Sequence, residues 1–406
     1  MQYLTAILLS VLIASSNAFA QRPEFEASKS TKPVKVFILA GQSNMQGKGF
    51  PEPLAWQLSQ QQYRGRYENL IRNGDYESFL ANVEKDKKSP EYDWSVRKDV
   101  WINYLDRRGN LSVGYGNPNK CFGPELNFGH VVGNHIDEQV LIIKTSWGGR
   151  ALAKGFLPPS SMASDEEYAR LAEVENQKRR DWNEKQPAQI EKYNARITEQ
   201  NKTAEKKQRP RTFKPKSMIS AEDFKAQYGS DYRNMVKEVH TCLAELKTRF
   251  PGYKDQGYEL AGFVWFQGWN DQYNDYWLSY EKNLANFIRD VRVEFKSPKL
   301  PFVIGQMGNG GTVEKLKADS PRAIIKQAQA AVADYPEFEG TVTCVKTDQF
   351  WDMEAHAIYT GPGGWNKDVN KWRQFGNDRP YHYYGSPWFF AQAGTGFGDA
   401  MLRLLK

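Results

Sequence analysis

The sequence predicts an α/β protein with a central parallel sheet of about five strands and helices on both faces. Two observations carry this. Apolar runs of strand length alternate with stretches of helical periodicity along the chain. The first run, Val34 to Ala40, is apolar almost throughout, as a strand covered on both faces must be. A third observation bears on function: three of the runs end in polar, glycine-containing turns. In a parallel sheet those turns open on one edge, where α/β proteins place their ligands.

The chain begins with an apolar stretch, LTAILLSVLIA at 4–14, followed by Ala18-Phe19-Ala20. This has the length and small-residue site of a signal peptide, although Met1-Gln2 supplies no Lys or Arg. It is short for a bilayer span, and no cysteine follows the site to receive a lipid. The expectation is a signal peptide over 1–20 and a single exported domain over 21–406, secreted or periplasmic, with no membrane attachment after cleavage.

After the first strand comes Gly41-Gln42-Ser43-Asn44-Met45. It is not a phosphate-binding loop, because five residues separate Gly41 from Gly47 and Gly49 follows Lys48 where a hydroxyl is needed. Nor is it the G-x-S-x-G elbow, because Met45 holds the last position. By itself, Ser43 is equally a helix cap.

Residues 51–123 read as a long irregular insertion, with 93–105 and 114–116 as an ordered loop facing substrate. A helix from Pro124 carries Phe128, Val131, Val132 and Ile136 on one face. The second strand, Gln139 to Lys144, runs into Thr145-Ser146-Trp147-Gly148-Gly149-Arg150.

A second insertion spans 160–218. Within 165–216 there are 14 Lys or Arg against 10 Asp or Glu, more than half of the chain's formal +7. It reads as a charged helical excursion interrupted at Pro187, resuming to about Lys207, and ended by Pro210 and Pro215. A solvated face is the simpler use, and contact with an acidic polysaccharide the alternative. Basic residues do not interleave with aromatics as on a nucleic-acid surface, so no nucleic-acid partner is expected.

Ser220 and Asp223 open the next helix, with Met235, Val236, Val239, Cys242, Leu243 and Leu246 at helical spacing up to Pro251-Gly252. The third strand, Leu260 to Phe266, ends in Gln267-Gly268-Trp269-Asn270-Asp271. Then follow a helix over Tyr280–Phe295, a strand at Phe302–Gly305, a helix at Pro321–Ala333, a strand at Thr341–Val345 and a final helix ending at Leu405. Cys121, Cys242 and Cys344 fit no metal-ligand spacing and read as free thiols, although export permits one disulfide. Neither a metal nor a cofactor is expected.

A serine nucleophile needs a base within hydrogen-bond reach and donors aimed at the oxyanion. Of five histidines, His130, His135 and His240 lie on helices, where surface or packing roles prevail. His356 reads as a loop residue after Asp352. His382, just before the last helix, is the better base.

These blocks together resemble the sialate O-acetylesterase and acetylxylan esterase group (carbohydrate esterase family six and relatives) among the SGNH hydrolases, over roughly residues 34 to 400. Ser43, Gly148, the G-x-N-D of Gly268–Asp271 and His382 match the four blocks in order. The resemblance implies a three-layer, flavodoxin-like fold and removal of O-acetyl groups from a carbohydrate. It makes Ser43 the nucleophile and His382 the base, with Ser43 N–H, Gly148 N–H and the Asn270 amide holding the oxyanion. Gln42, Gln267 and Arg150 lie in the same turns and are candidates for substrate contact. The chain departs from the pattern where Arg379 stands three residues before His382, a place usually held by aspartate. Trp269 stands where some relatives carry glutamate, and Arg150 where threonine is commoner. The acid behind His382 is therefore open between Asp378, Asp348, Asp352 and a backbone carbonyl, with Asp378 preferred for its place in a short Pro380-stiffened turn. The competing readings are a carbohydrate-binding protein without activity, and a lipase or thioesterase of the same superfamily.

Overall fold

The structure, a computed structural model, describes residues 26–71, 75–85 and 93–406. The predicted signal peptide lies outside the described residues. Seven strands form one sheet: β1 Val34–Gly41, β2 Arg97–Tyr104, β3 Arg107–Leu111, β4 Val140–Ser146, β5 Tyr258–Phe266, β6 Phe302–Gln306 and β7 Val342–Lys346, in the order β3-β2-β4-β1-β5-β6-β7. All pair in parallel except β3, which runs antiparallel to β2 at the edge.

β1 lies at the centre, between β4 and β5, and its side chains divide by alternation. Phe37 and Leu39 enter a core with Phe128, Phe389 and Phe397 from helices Glu125–Gly133 and Pro387–Leu404. Val36, Ile38 and Ala40 enter a second core with Val239, Leu284, Phe287 and Ile325, from the helices Ser230–Ala244, Tyr280–Glu294 and Pro321–Ala333. Both sets are fully buried, which is why this strand has no polar face to give it an alternating pattern. The three-layer α/β/α architecture is the one expected.

Four expectations require correction. The sheet has seven strands rather than about five, because residues 97–111 form β2 and β3 instead of a substrate-facing loop. Charged residues in Arg97-Lys98-Asp99 hide this strand, yet Arg97 is buried and bonds the Asp99 carboxylate, the His130 carbonyl and Asn134 Oδ1. Much of the rest of 51–123 is helical, including Pro51–Ser59 and Tyr76–Lys85. The charged insertion is one helix, Asp165–Gln200, which runs straight through Pro187 and stops at Asn201 rather than Lys207. His356 lies on helix Met353–Thr360, not in a loop.

Candidate active site

The turn after β1 is set by a close approach of backbones. A Cβ on Gly41 would lie 2.1 Å from the Phe266 carbonyl oxygen on β5, and its φ is +154°, so only glycine fits. Ser43 opens a single helical turn, Ser43–Gln46, whose residues are all buried. Gln46 is locked by bonds from its amide to Tyr104 Oη (3.1 Å) and the Ser146 carbonyl (3.3 Å). Its own carbonyl accepts from Lys144 Nζ at 2.7 Å, and that ammonium also meets Glu125 Oε2 at 2.8 Å. Lys144 and Glu125 are both wholly buried, and burial draws the lysine down to about 8. A fixed ionic post thus stands beneath the serine turn.

The turn after β4 comes against the serine. A Cβ on Gly148 would fall 3.9 Å from Ser43 Cβ, and one on Gly149 would fall 3.9 Å from Asn270 Nδ2. The turn after β5 brings Asn270 itself, whose backbone N–H donates to Gln42 Oε1 at 3.4 Å. Gln42 and Gln267 are almost fully buried, and Gln267 Nε2 donates to Gln42, to the Arg150 carbonyl and to Asp271. Asp271 is wholly buried and also accepts from the Leu152 and Ala153 N–H groups at 2.8 and 2.9 Å. Burial pushes its carboxyl up to about 6 against those hydrogen bonds. These side chains bind the three turns to one another.

His382 stands on the loop before the last helix. Its Nδ1 lies 3.0 Å from Asp378 Oδ2, with about four-fifths of both side chains covered. Burial raises the Asp378 carboxyl, and the hydrogen bond and charge of His382 outweigh it, so the net shift is downward. The rival acids are engaged elsewhere. Asp352 caps helix Met353–Thr360 and accepts from Ser386 Oγ, while Asp348 pairs with Lys326 at 3.0 Å.

The His382 loop has an unusual backbone. Tyr383 and Tyr384 follow it with φ of 50° and 63°, a left-handed conformation that costs non-glycine residues energy. Packing over-determines it. Tyr383 stacks on Phe389 at 3.5 Å between centroids and accepts from the Gly308 N–H, and the Tyr384 hydroxyl meets His356 Nδ1 at 2.8 Å. Asn44 and Asn309 both donate to the Tyr381 carbonyl, at 3.1 and 3.2 Å.

The Ser43 hydroxyl, the Asn270 amide and His382 Nε2 are left uncommitted among the described residues, as are the buried Asn44 Oδ1 and Ser146 Oγ. A cavity of about 430 Å³ opens beside Gly149 and Asn270, walled by Arg150, Lys154, Asp231 and Tyr276. Arg150 is half exposed there and pairs with the buried Asp231 at 3.5 Å. On the histidine side, Trp269 and Tyr381 lie 6.0 Å apart.

The family described as carbohydrate esterase, sialic acid-specific acetylesterase, matches residues 33–181 and 216–357. The chain belongs to this family. The matched segments contain Ser43, Gly148 and Asn270; Asp378 and His382 lie beyond them, and 182–215 falls between them. No curated protein sequence matches the chain. Among solved structures it is similar to a protein from Arabidopsis thaliana, at 14% identity over 91% of this chain and 98% of that one, with a TM-score of 0.43. A carbohydrate acetylesterase from Xanthomonas citri matches at 11% identity over 77% of this chain, with a TM-score of 0.39; the chain covers 49% of that protein. NanS matches at 11% identity over 91% of this chain and 98% of that one, with a TM-score of 0.42.

As a member, the chain is a carbohydrate esterase. All three cysteines are free thiols, two of them buried, and burial pushes each up to about 12. Sequence reasoning assigned no role to Asn44, Asn309, Tyr383, Tyr384 or the Lys144–Glu125 pair. Asn44 stood next to the serine, and Asn309 stood in a glycine turn after β6, so both had a positional cue.

Proposed function

We propose that this carbohydrate esterase is an exported O-acetylesterase that works through an acyl-enzyme on Ser43. Ser43 Oγ attacks the acetyl carbonyl while His382 Nε2 takes its proton. The oxyanion is held by the Ser43 and Gly148 N–H groups and the Asn270 amide. The sugar hydroxyl leaves with the proton from His382, and water, activated by the same histidine, releases acetate and restores Ser43. Asp378 holds His382 in the tautomer that keeps Nε2 free to accept.

The observation that carries this reading is the joining of the serine turn to the His382–Asp378 pair through Asn44, with the Asn270 amide uncommitted beside Gly149. A binding protein has no need of that arrangement. The aromatic flank of Trp269 and Tyr381 suits a sugar ring better than an acyl chain. Export rests on the apolar N-terminal stretch, and predicts Gln21 as the first residue of protein recovered from its host; an intact Met1 there refutes it.

A screen of O-acetylated mono-, oligo- and polysaccharides for released acetate tests the activity. The expected result is release that survives a chelator. Ester hydrolysis confined to long-chain acyl substrates would favour a lipase instead.

A further inference from the structure

The charged insertion is a built structural arm. Helix Asp165–Gln200 is about 54 Å long at 1.5 Å per residue. An extended strap returns along it, fastened by four asparagines that each bond both the N–H and the carbonyl of one strap residue. Asn176 holds Ile219, Asn183 holds Lys216, Asn194 holds Arg211 and Asn201 holds Gln208, at 2.7–2.9 Å.

The spacings match. Asparagines 7 and 11 residues apart rise about 10.5 and 16.5 Å on one face of a helix. Strap residues 3 and 5 apart advance about 10 and 16.5 Å when extended. Pro210 and Pro215 fall between the fastened positions, where no N–H is required. Beyond Asn176, the arm's hydrogen bonds, ion pairs and ring contacts among the described residues are all made within residues 165–219.

The charge is concentrated here. Residues 177–216 hold 13 Lys or Arg against 5 Asp or Glu, net +8, which leaves the remaining chain at −1. Of those cations, Arg179, Arg180 and Lys202 are in ion pairs among the described residues. The others have no carboxylate partner there and are exposed. Residues 182–215, the outer part of the arm, also lie between the segments that match the family.

The arm is rooted at the cavity. Tyr168 of its helix packs on Tyr228 at 5.1 Å, and Lys154, which lines the cavity, lies over the Tyr228 ring at 5.7 Å. Gln227, Ser230 and Asp231, adjoining Tyr228, form part of the cavity wall. Between the cationic stretch and the cavity, the root at 165–176 carries five Asp or Glu against Arg170, and the cavity wall then presents Lys154 and Arg150 beside Asn270.

We propose that the arm is a docking surface for an anionic polysaccharide, holding the polymer while one acetylated residue enters the cavity beside Asn270. This rests on the esterase reading for its substrate, but the docking itself does not require turnover. Polysaccharide is favoured over a membrane because the arm presents no apolar face: Trp182 stacks on Phe213 and is covered by Lys216. It is favoured over nucleic acid because Tyr193 is likewise covered, by Arg211 at 4.1 Å, leaving no open ring for a base.

The test is affinity of the whole protein for unesterified polygalacturonate, with dextran, phosphatidylglycerol vesicles and single-stranded DNA as alternatives. The variant replaces Lys178, Lys185, Lys192, Lys206, Lys207 and Lys214 with glutamine, all exposed and outside the asparagine ladder. Binding to polygalacturonate is expected at about 20 mM salt and to weaken roughly tenfold or more by about 300 mM, because exposed charges are screened over that range. The variant should bind roughly tenfold or more weakly at low salt, with its unfolding midpoint unchanged. No binding by the wild type, equal binding by the variant, or equal or tighter binding to vesicles or DNA overturns the proposal. Hydrolysis of 4-nitrophenyl acetate by the wild type is read separately: its absence with arm-dependent binding intact would refute the esterase mechanism and leave the docking standing.

Discussion

Asn44 and Tyr381, 337 positions apart, are joined by a 3.1 Å hydrogen bond from the Asn44 amide to the Tyr381 carbonyl. One is the neighbour of Ser43 and the other the neighbour of His382. The loop that carries the histidine has the strained backbone of Tyr383 and Tyr384 on its far side, so its position depends on what grips it. Asn309 grips the same carbonyl from the turn after β6. The serine turn and the histidine loop are therefore held in one frame.

Asn44→Ala removes one of these two grips without touching a reacting atom. We expect kcat to fall roughly ten- to a hundredfold, in line with small misplacements of a catalytic group. KM and the unfolding midpoint should change little, because Asn309 still holds the loop. Steady-state kinetics on 4-nitrophenyl acetate separate these effects, and a change in KM alone would argue against a positioning role.

Asp378→Asn should lower kcat by roughly 10³- to 10⁴-fold, as loss of the orienting acid does in serine hydrolases. Asp348→Asn and Asp352→Asn should each leave most activity in protein that remains folded, since their carboxylates face Lys326 and Ser386. A loss below about tenfold for Asp378→Asn, with a large one at either rival, would move the assignment.

The arrangement of turns was legible in the sequence because the chemistry sits at strand ends, and buried strands announce themselves as apolar runs. β1, β4 and β5 were readable for that reason, and with them Ser43, Gly148 and Asn270. β2 was not, because Arg97 and Asp99 neutralise each other and a buried ion pair looks like a surface turn in one dimension. The arm was read as helix up to Lys207, since lysine and glutamate suit a helix wherever they stand. Its strap is defined instead by the asparagines at 176, 183, 194 and 201, a repeat visible in the sequence to anyone looking for a fastened strand. The choice between Asp378 and its rivals depended on loop geometry that no periodicity encodes.

Asp271 gives the fold a pH dependence. Burial raises its carboxyl from 3.8 to about 6 in the folded protein, so the native state holds a proton that the unfolded chain has released. Its contribution is most favourable below about pH 4 and is lost as the pH rises through about 6. Across that window wild type should lose on the order of 3 kcal/mol relative to a variant that does not titrate there. Unfolding of wild type and Asp271→Asn at pH 4, 5 and 6, each set within about that window, measures the difference. A gap that stays constant or shifts the other way with rising pH would refute the assignment.

On this mechanism Ser43 carries the acetyl group. Acetate release from an O-acetylated sugar by wild type, Ser43→Ala and Asn270→Ala tests it most directly. Ser43→Ala should lose roughly 10⁴-fold or more in kcat, and Asn270→Ala roughly 10²- to 10³-fold as an oxyanion donor should, with both variants folded. Release by Ser43→Ala within about tenfold of wild type would contradict it.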